Sequence, residues 1–434
     1  MNADFIARAL AARASSERAS SVARRHAIRI FGGRVAGACA VSTSQLTFET
    51  VIAIACPADA IRLVYAFGQN GPGDAVPVQV KSYAASVSSA TDVDIQDAAS
   101  SAKSVTTGGK ASSLFAPSAT TTRRKLYRSD WIALPSRERT DGGSGALYAV
   151  RSTLSTLSGS GSIVMLGNGN DSFANWENHP SGRIFRSRSK QAVDSGNWSG
   201  FTRANSSGAV ISPVVGIEYM ARGRVVSVAG FGDSITEGRG TYLGEGFGFP
   251  ACVAMSSNAS GVPFEWSNLG WAGQGASQTF LQVQDCLDAG LVPGVAVLPV
   301  FTPNGFLSDP SEAAIESMRL YFGQAIDLLE NAGVDVIQWT GVSSSPSQFP
   351  VGTADGLRRA LNRELLDAAA RGVTVCDFAG RLDGEADSSG QTQPRPGVLV
   401  DGIHPSDAGN ASMAKALQQA LRARIELPQG LRAA

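Results

Sequence analysis

Between residues 223 and 434, apolar runs alternate with amphipathic stretches. The runs are VVSVAGF (225–231), FEWSNLG (264–270), VAVLPVF (295–301), VDVIQWTGV (334–342) and VTVCDFAG (373–380). Helical patterns fall at 277–290, 311–333, 357–372 and 406–426. In the second, Ile315, Met318, Phe322, Ala325 and Leu329 recur at helical spacing. Strands that are apolar throughout and separated by helices predict a parallel sheet covered on both faces. A site in such a sheet is expected at the carboxyl ends of the strands.

Residues 41–222 have a different texture. Short apolar stretches at 46–55, 60–68, 76–87, 145–154, 161–167 and 209–220 are separated by Ser, Gly and Thr, with little helical periodicity. This predicts an all-β domain of sandwich or jelly-roll type, suited to substrate recognition. Two segments, 88–113 and 167–200, read as long loops. The second holds Trp176, His179 and Trp198. Residues 1–40 are expected to be a helical extension, with Phe5, Ile6, Ala9 and Leu10 on one face. The expected boundaries are therefore 1–40, 41–222 and 223–434.

Composition narrows the function classes. Lys and Arg number 37, as do Asp and Glu, so no overall basic charge points to nucleic acid. No apolar run approaches the roughly 20 residues of a membrane span. Arg interrupts each N-terminal apolar patch, and Arg29 and Arg34 break the run before Cys39, so no signal peptide is recognised. The default location is the cytoplasm, although a polymeric substrate would imply export. Five scattered cysteines without a CxxC pair, and three isolated histidines, argue against a disulfide framework and against a metal site. No cofactor is expected, and the oligomeric state is open.

The chemistry concentrates in four places. GFGDSITEG, at 230–238, sets Ser234 where a strand turns into a helix. NLGWAGQG, at 268–275, follows the next strand, and TPNGF, at 302–306, the one after. VDGIHPSDAG, at 400–409, precedes the last helix, with Asp401 and His404 three apart. That spacing allows the carboxylate to accept the Nδ1 proton of His404, leaving Nε2 to take a proton from Ser234. His404 is the one imidazole in this half of the chain. A glycine-rich loop and an amide side chain are suitable oxyanion donors.

In this order the four blocks resemble the SGNH, or GDSL-type, hydrolases, over about 224–426. The resemblance implies a flavodoxin-like three-layer α/β fold for the C-terminal half. It implies Ser234 as nucleophile, His404 as base with Asp401 as its orienter, and an oxyanion hole from the Ser234 and Gly273 amides and the Asn304 side chain. The third block departs from the usual GxND: Pro303 precedes the asparagine and Gly305 replaces the aspartate. Asp233 is expected to brace the turn.

The expected activity is carboxylic ester hydrolysis through an acyl-enzyme. A β-sandwich before such a domain resembles carbohydrate esterases that remove acetyl groups, so acetylated polysaccharide is the first choice of substrate. Trp271 and Phe306 are candidates for stacking on a sugar ring. The rival readings are a lipase, thioesterase or arylesterase, and a surface or virion module with a vestigial hydrolase domain.

Overall fold

The computed structural model describes residues 23–30, 35–43, 45–69, 76–89, 91, 97, 101–118, 120, 123–168, 188–189, 210–240, 262–345 and 353–426. The chain divides into two compact units. One is Arg24–Val225, and the other contains Val226–Ala434.

The first unit is all-β. Its strands are β1 (Ala23–Ile30), β2 (Val35–Ser42), β3 (Leu46–Ile54), β4 (Ala58–Gln69), β5 (Val78–Val87), β6 (Lys103–Val105), β7 (Ser112–Phe115), β8 (Lys125–Arg128), β9 (Ile132–Ala133), β10 (Ala146–Ser155), β11 (Ser160–Asn168), β12 (Arg188–Ser189), β13 (Val210–Ser212) and the first part of β14 (Val214–Gly232). In one sheet, β10 lies between β3 and β5, antiparallel to both. Val51, Ala53, Ala85, Val87, Leu147 and Ala149 occupy one face of those three strands as a buried cluster. Around β4 the neighbours β8, β9, β11 and the first part of β14 are all antiparallel.

Two expectations are corrected here. Residues 23–30 and 35–42 are strands, not part of a helical extension. Ile28 and Ile30 are β-branched, two apart and buried, which fits a pleated strand better than a helix. Residues 1–22 lie outside the described residues. The stretch 88–113 is not a plain loop either, since β6 and the start of β7 pair with β5. Most of 167–200, with Trp176, His179 and Trp198, lies outside the described residues.

The second unit is α/β. The last part of β14 is followed by α1 (Ser234–Glu237), β15 (Phe264–Gly270), α2 (Ala276–Asp288), β16 (Val295–Pro299), α3 (Glu312–Asn331), β17 (Asp335–Trp339), α4 (Thr353–Ala369), β18 (Val375–Cys376), α5 (Ala379–Leu382), the hairpin β19 (Asp383–Ala386) and β20 (Thr392–Pro394), and α6 (Asp407–Glu426). Five strands lie side by side in the order β15-β14-β16-β17-β18, all parallel. Numbered from β14, that order is 2-1-3-4-5, the flavodoxin-like arrangement.

Two apolar clusters cover the two faces. Val226, Val228, Val295, Val297, Ile337 and Trp339 meet Met413, Leu417 and Leu421 of α6. On the other side, Ala276 of α2, Ile315, Met318 and Phe322 of α3, and Leu361 and Leu365 of α4 gather with Val300 and Phe301. Within α4, Arg358 is wholly buried, and its guanidinium is paired with Asp355 and Asp383. No helix among the described residues is long and apolar enough to cross a membrane.

Candidate active site

Ser234 opens α1 at the carboxyl end of β14. Gly232 makes the turn with φ at 152°. A Cβ there would sit 2.4 Å from Thr236 Oγ1, so both conformation and space call for glycine. Asp233 caps the helix, its Oδ1 accepting from the Ile235 amide at 2.9 Å. The Ser234 amide, at the first helical position, has no intrahelical acceptor. Glu237, three residues on, is buried, and its carboxylate accepts from the Ala272 amide at 2.8 Å. The α1 turn and the 271–275 loop are thereby joined. Asn268 adds to this, donating to the Glu237 carbonyl and accepting from the Gly270 amide.

His404 comes from the loop before α6. Its Nε2 lies 2.8 Å from Ser234 Oγ, and its Nδ1 lies 2.6 Å from Asp401 Oδ2. Asp401 Oδ1 accepts from the amides of Ile403 and His404 at 3.0 and 2.9 Å. One carboxylate therefore shapes the loop and holds the ring. Burial pushes the Asp401 carboxyl up, but the His404 amide and ring and the Ile403 amide outweigh it and hold it below its ordinary value. Asn410, at the start of α6, fastens the loop by donating to the carbonyls of Pro405 and Ser406. Ser345 adds a bond from its amide to the Gly402 carbonyl.

Gly273 sits on the loop after β15 with φ at 82° and open space where a side chain would begin. No group among the described residues accepts its amide proton. Asn304 follows β16. Its Nδ2 donates to the Gln274 carbonyl at 3.0 Å, which leaves one of its two amide protons uncommitted. Gly305 also takes a positive φ, 79°, in open space. A residue after Asn304 that turns the chain this way is best glycine, which accounts physically for the TPNG variation.

The two aromatic candidates part company. Trp271 is partly exposed, and its amide donates to the Gly232 carbonyl. Phe306 is wholly buried and packs edge-on against Phe301 at 5.0 Å between ring centres. A side chain with no exposed surface cannot stack on a ligand, so Phe306 is core and the expectation for it is corrected.

Glu237, Asn268, Gln274, Thr302 and Asn410 are parts of this site that the sequence reading did not single out. The available signals were the Thr-Glu pair directly after GDSI and the Gly-Asn pair at 409–410.

Residues 231–411 match the model of the GDSL-like lipase/acylhydrolase family. Solved structures similar to the chain include a lipolytic protein of the G-D-S-L family from Desulfitobacterium hafniense, 21% identical. That match covers 44% of this chain and 98% of the other, with a TM-score of 0.34. The lipase Lip_vut3 from a goat rumen metagenome is 18% identical, with 46% and 99% covered and a TM-score of 0.38. An acetyl xylan esterase, AlAXEase, is 17% identical, with 45% and 98% covered and a TM-score of 0.35. No curated protein matches the chain.

Proposed function

We propose that this domain is a serine esterase in which Ser234 is the nucleophile, His404 the general base and acid, and Asp401 the orienter of His404. The observation that carries the reading is the continuous hydrogen-bonded line from Asp401 Oδ2 through the imidazole to Ser234 Oγ, at 2.6 and 2.8 Å. Nucleophile, base and orienter at such distances are what acyl transfer requires.

Ser234 Oγ bonds to the ester carbonyl carbon as its proton passes to His404 Nε2, and the carbonyl π pair moves to oxygen. The oxyanion meets the Ser234 and Gly273 amides and the uncommitted Nδ2 proton of Asn304. Such donors, fixed before the reaction, stabilise charge as it develops. Collapse breaks the bond to the alcohol oxygen, which takes the proton from Nε2. Water then repeats the sequence on the acyl-enzyme and releases the acid.

The alcohol side is proposed to be a carbohydrate and the acyl group acetyl. Trp271, partly exposed beside the loop that carries Gly273, supports this, because an indole face suits the C–H face of a sugar ring. The deciding experiment compares acetate release from acetylated glycans with hydrolysis of p-nitrophenyl esters of increasing chain length. Preference for the glycan, with activity falling beyond short acyl chains, supports the reading. Activity that rises with chain length would replace it with a lipase or thioesterase.

A further inference from the structure

We propose that Thr302 is a positioning residue, which ties the Asn304 oxyanion donor to the turn that carries the nucleophile. The inference rests on the esterase reading above.

Thr302 is buried, and its hydroxyl bridges two loops. Oγ1 donates to Asp233 Oδ2 at 2.5 Å and accepts from the Asn304 amide at 3.3 Å. The Asn304 side chain makes its own bond to the Gln274 carbonyl, which lies 3.5 Å from Thr302 Oγ1. Gln274 is buried in turn, and its Oε1 accepts from Gln282 Nε2 at 2.6 Å. Asp233, Thr302, Gln274 and Gln282 thus form one buried polar line behind the site.

Among the described residues, Asn304 has only those two hydrogen bonds, one through its amide to Thr302 and one through its side chain to Gln274. Gly305, next in the chain, lies in open space and adds no packing. The placement of the Asn304 donor therefore depends on Thr302 at its backbone and on Gln274 at its side chain. Asp233 has no exposed surface, and a buried carboxylate needs donors on both oxygens. The Ile235 amide supplies Oδ1 and Thr302 supplies Oδ2. Asp233 cannot readily release the threonine, so the two loops hold one spacing. Angstrom-scale displacement of an oriented group costs on the order of 100-fold in rate.

The test is a double-mutant cycle read by kcat and KM on a small activated ester. Thr302→Val keeps the shape and removes the hydroxyl, and is expected to lower kcat about 10- to 100-fold with KM within about twofold. Thr302→Ser restores the bridge and should recover turnover to within about threefold of wild type. Thr302→Val combined with Asn304→Ala should be about as slow as Asn304→Ala alone, since Thr302 acts through Asn304. Multiplying losses, or a Thr302→Val rate within about twofold of wild type, would overturn the proposal. Circular dichroism checks that each variant is folded, and Thr302→Ala replaces Thr302→Val in the cycle if valine does not fold. Ser234→Ala runs alongside. If it stays active the esterase reading itself falls; if it is dead while Thr302→Val is unaffected, only the bridge falls.

Discussion

His404 Nε2 lies 2.8 Å from Ser234 Oγ although 170 residues separate the two in the chain. Each arrives on the same edge of the sheet by a different route. Ser234 is carried there by the end of β14 and the cap of Asp233. His404 is carried there by a loop pinned at Asn410 and shaped by Asp401. Neither position depends on the other residue, so a substitution at one should leave the other in place. That makes the pair suited to kinetic dissection.

Ser234→Ala should abolish ester hydrolysis in a protein that remains folded. His404→Ala should be nearly as inactive. Asp401→Asn should keep more activity, since the carboxylate holds the ring and stabilises its charge without taking the proton. Steady-state kinetics on a p-nitrophenyl ester gives the order. If His404→Ala were more active than Asp401→Asn, the assignment of base and orienter would be wrong.

The strand and helix runs after residue 223 were legible because each strand is buried on both faces and each helix carries a broad apolar stripe. The pattern is then little affected by tertiary context. Ile315, Met318, Phe322, Ala325 and Leu329 point into the core as their spacing indicates. Residues 23–42 were harder, because scattered arginines and many glycines and alanines carry little periodic signal. The short strands β6 and β7 lie among Ser, Thr and Gly, and their pairing with β5 supplies the order that their own composition lacks.

Within the site, the residues proposed to present chemistry stood out in the sequence, and those that hold them did not. Ser234, His404 and Asp401 belong to recognisable blocks. Thr302 and Glu237 act by reaching across from one block to another, a relation that spacing along the chain does not encode. Phe306 shows the converse. Its place in TPNGF suggested a ligand surface, yet the turn at Gly305 carries it inward against Phe301.

Asp401 has a predictable effect on acid stability. Its carboxyl titrates below the ordinary aspartate value of 3.8, despite the opposing effect of burial. A depressed folded-state value gives stability that is present above the unfolded value and lost as pH falls through the folded one. Asp401→Asn should therefore be less stable than wild type at neutral pH, with the gap closing below pH 3.8. Urea unfolding of both proteins between neutrality and the acid limit measures this. A gap independent of pH would mean that the carboxylate charge contributes nothing to folding.

Asn304→Ala tests the oxyanion assignment in its TPNG setting. Losing one such donor costs about 2.7–4 kcal/mol in the transition state, or roughly 100- to 1,000-fold in kcat. KM should change little, because the amide meets charge that develops only during the reaction. A fall in kcat below about threefold would make Asn304 a loop residue and leave the hole to the two backbone amides.

Gly270→Ala probes the packing that sets α1 on the sheet. A Cβ at Gly270 would lie 2.3 Å from the Glu237 amide nitrogen and 2.7 Å from the Thr236 carbonyl carbon. Both neighbours are backbone, so no side chain can swing aside; either β15 or α1 must move. Overpacking of this kind costs about 1–3 kcal/mol. The melting temperature should fall by roughly 2–4 °C per kcal/mol in a unit of this size. Because α1 carries Ser234, kcat should fall as well. Gly333→Ala is the control: its φ is 75° but the space around it is open. It should cost about 1–2 kcal/mol of backbone strain and leave kcat unchanged. Calorimetry and steady-state rates on the two variants decide the matter. If Gly270→Ala melts like wild type and turns over at the same rate, close packing of α1 on β15 is not what places the nucleophile.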